Sequence, residues 1–176
     1  SKGWFKVVPA EYLNDEKYND DEDYWYYADG SGNLYAGEFK TIKGKKYAFR
    51  NDGRMIDGLK FIYEDKDAQS LTVWADDDDP YRFDSEDDFD DNAPLYEAAG
   101  YYCYYFGNGD DGAMRTNKTT VEIDGENFNF YFEKSGGKKG AGLTGEKDDK
   151  FYQSGKLLKA DTDDKYSVVQ RQLVKK

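Results

Sequence analysis

An all-β array of stacked hairpins, solenoid-like and interrupted by acidic loop insertions, is the fold class this sequence predicts. Three observations predict it. Leu, Ile, Val and Phe supply only 31 of 176 residues, and with a net charge of -12 such a chain falls short of an aliphatic core. Seventeen Tyr, eleven Phe and three Trp make up the deficit, because each ring buries a large area in a thin layer and suits a half-buried pleated surface. Finally, an aromatic run followed by a turn of the form Gly-x-Met or Gly-x-Leu recurs along the chain, and Gly32 and Gly53 stand 21 residues apart, a solenoid spacing.

The elements follow in order. After the acidic run "NDEKYNDDED" (14–23), "YWYY" (24–27) is the first clear strand, closed by Gly32-Asn33-Leu34. "KYAF" (46–49) puts Tyr47 and Phe49 on one face and Ala48 and Arg50 on the other. Its turn, Asn51-Asp52-Gly53, tolerates positive backbone angles and leads into Arg54-Met55. Residues 64–99 hold "ADDDDP" and "DSEDDFDDNAP", punctuated by Pro80 and Pro94, and read as solvated insertions with room for one short helix. "YYCYYF" (101–106) precedes Gly112-Ala113-Met114, "NFNFYF" (127–132) leads into the imperfect turn "EKSGGKKGAG", and "KFYQ" (150–153) precedes Gly155-Lys156-Leu157. A larger duplication overlies these, pairing Trp25 with Tyr104 and Thr41 with Thr120 at an offset of 79. The expected organisation is one array over 1–176, with a first hairpin block at 1–62, a connecting acidic segment at 63–100 and a second block at 101–176.

Composition excludes several functions. Thirty-seven acidic against 25 basic residues oppose phosphate binding, so no nucleic-acid partner is expected. No apolar run is long enough for a membrane span, and no signal peptide is visible at the start. The single Cys103 forms no internal disulfide, and inside "YYCYYF" it reads as a small buried apolar residue. With no histidine, the common zinc sites and His-based nucleophile pairs are missing. Calcium favours clustered carboxylates such as "DDDD" (76–79) and "DDFDD" (87–91), yet neither run has the twelve-residue loop spacing, and "DGSGNLYAGEFK" lacks the sixth-position glycine and the terminal Glu. No pair of acids stands out as a glycosidase couple, so no enzyme activity is expected, and calcium is the one cofactor the acidic runs leave open.

One hairpin alone buries too little to be stable in water, so successive hairpins must stack, with Met55 or Met114 lying against the next unit. Aromatic walls and a flexible thioether then make shallow slots, suited to sugar rings by stacking or to quaternary ammonium groups by cation–π attraction. Trp74, in "LTVWADD", lies outside the pattern and reads as a core anchor.

The segments "KGWF" (2–5), "YWYYADGSGNLYAG" (24–37), "TIKGKKYAFRNDGRMIDG" (41–58), "YYFGNGDDGAMRTN" (104–117), "VEIDGENFNFYFEKSGG" (121–137) and "KFYQSGKLLKA" (150–160) resemble the bacterial cell-wall-binding repeats. That family includes choline-binding modules, glucan-binding repeats and clostridial toxin C-terminal repeats. The resemblance implies a non-catalytic module on the bacterial cell surface, outside the cell, anchoring a larger secreted protein to choline-decorated teichoic acid, glucan or a host oligosaccharide. A structural spacer or adhesin stalk without a ligand, or a choline-binding module, is the rival reading. The implied ligand-binding residues are Trp4, Trp25, Tyr27, Tyr47, Met55, Tyr104, Tyr105 and Met114. The pattern's Gly-Trp survives only at Trp4, its counterparts reading Gly37-Glu38-Phe39, Gly58-Leu59-Lys60 and Asn117-Lys118-Thr119, so most choline cages would lack a wall.

Overall fold

The computed structural model describes residues 3–7, 24–76, 82–159, 166–169 and 172–175. The acidic run 14–23, most of 76–79 and Pro80 lie outside them. The described residues form small antiparallel sheets and one helix, and the chain divides into two compact units that interleave in sequence. Ser1–Gly58, Tyr63–Tyr81 and Phe106–Met114 make the first, and Leu59–Ile62, Arg82–Tyr105 and Arg115–Lys176 the second.

In the first unit β1 (Gly3–Val7) pairs with β2 (Tyr24–Ala28), Trp4 opposite Tyr27 and Lys6 opposite Trp25. β3 (Glu38–Ile42) pairs with β4 (Lys45–Phe49) through a two-residue turn, Lys43-Gly44, in which both residues have positive φ, the hairpin geometry whose twist matches the strands. The Gly-x-Met and Gly-x-Leu turns are a second kind of reversal. They fold a residue back on the preceding strand as an isolated bridge, Leu34 on Ala28 and Met55 on Phe49. The period seen in the sequence is physical: Asp29 N–H bonds the Asn33 carbonyl and Arg50 N–H the Arg54 carbonyl (both 2.8 Å), Gly32 N–H the Asp29 carbonyl (3.0 Å) and Gly53 N–H the Arg50 carbonyl (2.9 Å). Successive turns also reach back to earlier strands. Met55 N–H donates to the Trp25 carbonyl (2.8 Å) and Met114 N–H to the Lys46 carbonyl (2.7 Å), so the Gly112 turn repeats what the Gly53 turn does.

Between these turns the chain forms β5 (Leu59–Asp65) and β6 (Ser70–Val73), neighbours in one sheet. Asn51 Oδ1 accepts from Leu71 N–H (3.0 Å), tying β6 to the Gly53 turn. Trp74 is half-buried.

In the second unit β7 (Tyr102–Tyr105) pairs with the first residues of β5, Phe61 opposite Cys103. β8 (Asn117–Ile123), β9 (Glu126–Phe132), β10 (Gly145–Lys147), β11 (Lys150–Gln153) and β12 (Lys156–Leu157) form a sheet of order β10-β11-β12-β9-β8. A last antiparallel pair joins β13 (Tyr166–Val169) and β14 (Gln172–Lys175). The turn "EKSGGKKGAG" bridges Phe132 to Gly142, and Gly142 N–H donates to the Cys103 carbonyl (2.7 Å). A glycine thus stands where Met55 stands in the first unit. The offset of 79 needs correction: Thr41 pairs with Lys46 beside the Lys43-Gly44 turn, whereas Glu122 pairs with Asn127 beside the matching Asp124-Gly125 turn. Thr41 therefore corresponds to Glu122 rather than Thr120, because β8 is two residues longer than β3.

The acidic segment with room for one short helix contains that helix, α1 (Glu86–Ala98). Ser85 caps it, its hydroxyl accepting from Asp88 N–H (3.1 Å), and Glu86, Asp87 and Asp88 sit at the positive end of the helix dipole. Part of the run "DDFDD" is therefore a helix start, not a loop. Phe89, Ala93 and Tyr96, at helical spacing, are its buried stripe. Phe89 meets Phe61 at 5.7 Å and Phe130 at 5.5 Å, and Phe130 stacks on Phe132, so this unit is built around aromatic rings. Cys103 is 1% exposed, as expected of a small core residue, and burial pushes its thiol well above the ordinary value.

Candidate functional site

Five of the residues singled out by sequence converge in the first unit. Trp4 comes from β1, Trp25 and Tyr27 from β2, Tyr47 from β4 and Met55 from the turn that folds back on Phe49. Register places them together: Trp4 and Tyr27 are direct partners across β1 and β2, and Tyr47 and Phe49 alternate on one side of β4.

The site has a floor and a rim. Tyr27, Phe49 and Met55, with Ile42, are buried, while Trp4, Trp25, Tyr35 and Tyr47 are only partly buried against them. Trp4 is the hub. Its ring meets Tyr47 at 4.8 Å, Tyr27 at 5.1 Å, Phe49 at 5.8 Å and Trp25 at 6.3 Å, mostly edge to face, the arrangement favoured by ring quadrupoles. Tyr35 stacks on Tyr27 at 5.1 Å with only 13° between planes, and Lys40 Nζ lies 5.1 Å from the Tyr35 centroid. The thioether of Met55 is pressed by the next turn: a Cβ at Gly112 would come within 2.5 Å of its sulfur.

Polar groups flank the rings. Trp25 Nε1 donates to Asp110 Oδ1 (3.0 Å), and Lys6 Nζ donates to the same oxygen (3.1 Å) while lying 5.8 Å from the Trp25 centroid. These two donors hold the exposed Asp110 carboxyl below its ordinary value, the indole bond contributing most. Behind the turn, Arg54 is buried, its Nε on Asp52 (2.8 Å) and its guanidinium 4.9 Å from the Tyr24 centroid. Arg50 bonds Asp76 through both carboxylate oxygens (2.9 Å each) and the Met55 carbonyl (3.1 Å). This network fixes the turn that carries Met55.

The other three expected residues lie elsewhere. Met114 belongs to the first unit, on the turn after Met55. Tyr104 and Tyr105 are in the second unit and buried, Tyr105 stacked on Phe132 at 6.4 Å. Three neighbours of the rim went unnoticed in the sequence: Tyr35, Lys6 and Asp110. Lys6 carried a signal, since it sits two residues from Trp4 and so on the same strand face. Asp110 carried none, being 85 residues from the tryptophan it bonds. Among the described residues no group of Asp, Glu and Cys is arranged to hold a metal ion, and no helix is long and apolar enough to cross a membrane.

No known family profile matches the sequence, and no curated protein matches it. Solved structures do. The chain is similar to CbpJ from Streptococcus pneumoniae (14% identity, 97% of this chain and 63% of that one, TM-score 0.45). It is similar to the multimodular pneumococcal cell wall endolysin of phage Cp-1, solved with choline (14%, 99% and 32%, TM-score 0.40), and to CbpF, solved with ipratropium (18%, 90% and 49%, TM-score 0.28). The chain thus spans between about a third and just under two thirds of the length of these structures.

Proposed function

We propose that the chain is a non-catalytic module that attaches a larger secreted protein to a cell-wall polymer or surface glycan at the bacterial cell surface. One observation carries the reading: four partly buried aromatic rings, Trp4, Trp25, Tyr35 and Tyr47, stand around a buried floor of Tyr27, Phe49 and Met55. A ring that only completed a core would be covered, as Phe49 and Phe130 are. Partly open rings with Lys and Asp beside them suit sugar rings, which stack by their apolar faces and hydrogen-bond by their hydroxyls. In the second unit Tyr104 and Tyr105 are buried, so those two rings serve packing, as the spacer reading would have it throughout.

The test is retention of the purified chain on Gram-positive wall preparations, eluted in parallel with soluble glucan, with choline and with a calcium chelator. Retention released by glucan, and weakened about tenfold or more by Trp25→Ala or Tyr47→Ala in a folded variant, supports the reading, since stacking on one aromatic ring is worth about 1–3 kcal/mol in other systems. A folded protein that binds no wall and no glycan overturns it and leaves the spacer.

A further inference from the structure

Every free cation looking for the Trp25 ring meets one already there. Lys6 Nζ lies 5.8 Å from the Trp25 centroid, within the range of cation–π attraction, and is held by a carboxylate, Asp110, that also takes the indole N–H. Ring, ammonium and carboxylate form a closed set. The Trp25 N–H is used, so a ligand meets the ring by its face, and an ammonium paired with Asp110 already lies over that ring. The same device recurs in the chain: Arg54 lies over Tyr24 (4.9 Å), Lys147 over Tyr131 (4.9 Å) and Lys156 over Phe128 (5.0 Å). Aromatic faces here are supplied with cations from the chain itself.

We propose that Lys6 is a specificity-determining residue: as resident cation of the Trp25 face, braced by Asp110, it excludes quaternary ammonium ligands and leaves the aromatic site to neutral sugar rings. The inference rests on the reading of this cluster as a binding site, and it names the ligand class. A neutral ring has to share the face with the lysine but meets no like charge there, and its hydroxyls can accept from the ammonium. An ammonium ligand would face like charge in the place it needs and would have to break the Lys6–Asp110 pair. Removing the Lys6 charge leaves the Asp110 carboxylate beside an open indole face, the two features that attract such a cation.

The experiment follows the Trp25 indole N–H by NMR while the intact chain is titrated with tetramethylammonium chloride, at constant ionic strength. Wild type should show no saturable shift, and Lys6→Met should show one, with affinity raised on the order of fivefold or more. Lys6→Gln is the second neutral variant, should Met repack the strand, and Asp110→Asn, which keeps the lysine, should remain unresponsive. Saturable binding to wild type as tight as to Lys6→Met, or no gain in either neutral variant, overturns the proposal. Retention on wall preparations and glucan, measured in parallel, separates the two levels. Cation gain without wall or glycan binding in any form sustains the role of Lys6 and refutes the glycan reading, whereas wall or glycan binding without cation gain does the reverse.

Discussion

At the scale of single residues, close approach of backbones decides which substitutions the chain tolerates. A Cβ at Gly112 would meet the flexible end of Met55, which can move aside, so Gly112→Ala should cost about 1 kcal/mol in urea denaturation. A Cβ at Gly142 would come within 2.3 Å of the Ser154 carbonyl oxygen, a backbone atom of the tight turn between β11 and β12, and Gly142→Ala should cost about 3 kcal/mol or more. Equal costs would mean that the Met55 side chain and the Ser154 backbone yield alike. Asp110 offers a pH test. Its folded value lies below the ordinary 3.8, so the Trp25–Asp110 contact should be complete above that value and lost only as pH falls through the lower folded one. An acid titration of the Trp25 indole N–H with its midpoint at 3.8 or higher would contradict the contact.

At the scale of elements, α1 depends on one cap and one anchor. Ser85→Ala removes the hydroxyl that accepts from Asp88 N–H and should destabilise by about 1 kcal/mol. The anchor is Lys156 of β12, 1% exposed, whose Nζ lies 2.6 Å from Glu86 and 3.2 Å from Asp90. Burial holds the Asp90 carboxyl above its usual value despite the opposing pull of Lys156. For a raised carboxylate the stabilising contribution is present below the unfolded value, 3.8, and lost as pH rises through the folded one. Asp90→Asn should therefore compare most favourably with wild type near neutral pH, and its relative stability should decline as both are acidified toward about pH 4. Urea midpoints at the two pH values check this; an Asp90→Asn variant that gains on wild type as the pH falls would reverse the sign.

At the scale of the whole molecule, the interleaving of the two units matters most. The first unit takes Asp76 from one later segment and Asp110, Gly112 and Met114 from another. Residues 1–58 alone therefore lack the partners of Arg50, Trp25, Met55 and Lys46. That fragment should show no cooperative thermal transition by circular dichroism under conditions where the full chain does. A sharp transition in the fragment would show that the first hairpins stand alone.

The sequence by itself determined the strand-rich class, the 21-residue turn period and the aromatic character of both cores, because these follow from residue type and local spacing. Asp29 and Arg50 open equivalent turns for reasons visible within a few residues of each. That Trp25, Tyr27, Tyr47 and Met55 occupy repeated places in the hairpins was legible for the same reason; their convergence with Trp4 rests on the pairing of β1 with β2. Tertiary structure alone decided that Tyr104 and Tyr105 are buried while Trp25 and Tyr47 keep part of their surface, that "DDFDD" opens a helix pinned by a lysine about 66 residues on, and that Asp110 reaches Trp25. Each depends on two segments distant in sequence meeting in space, and neither local propensity nor period encodes which of many carboxylates and rings will meet.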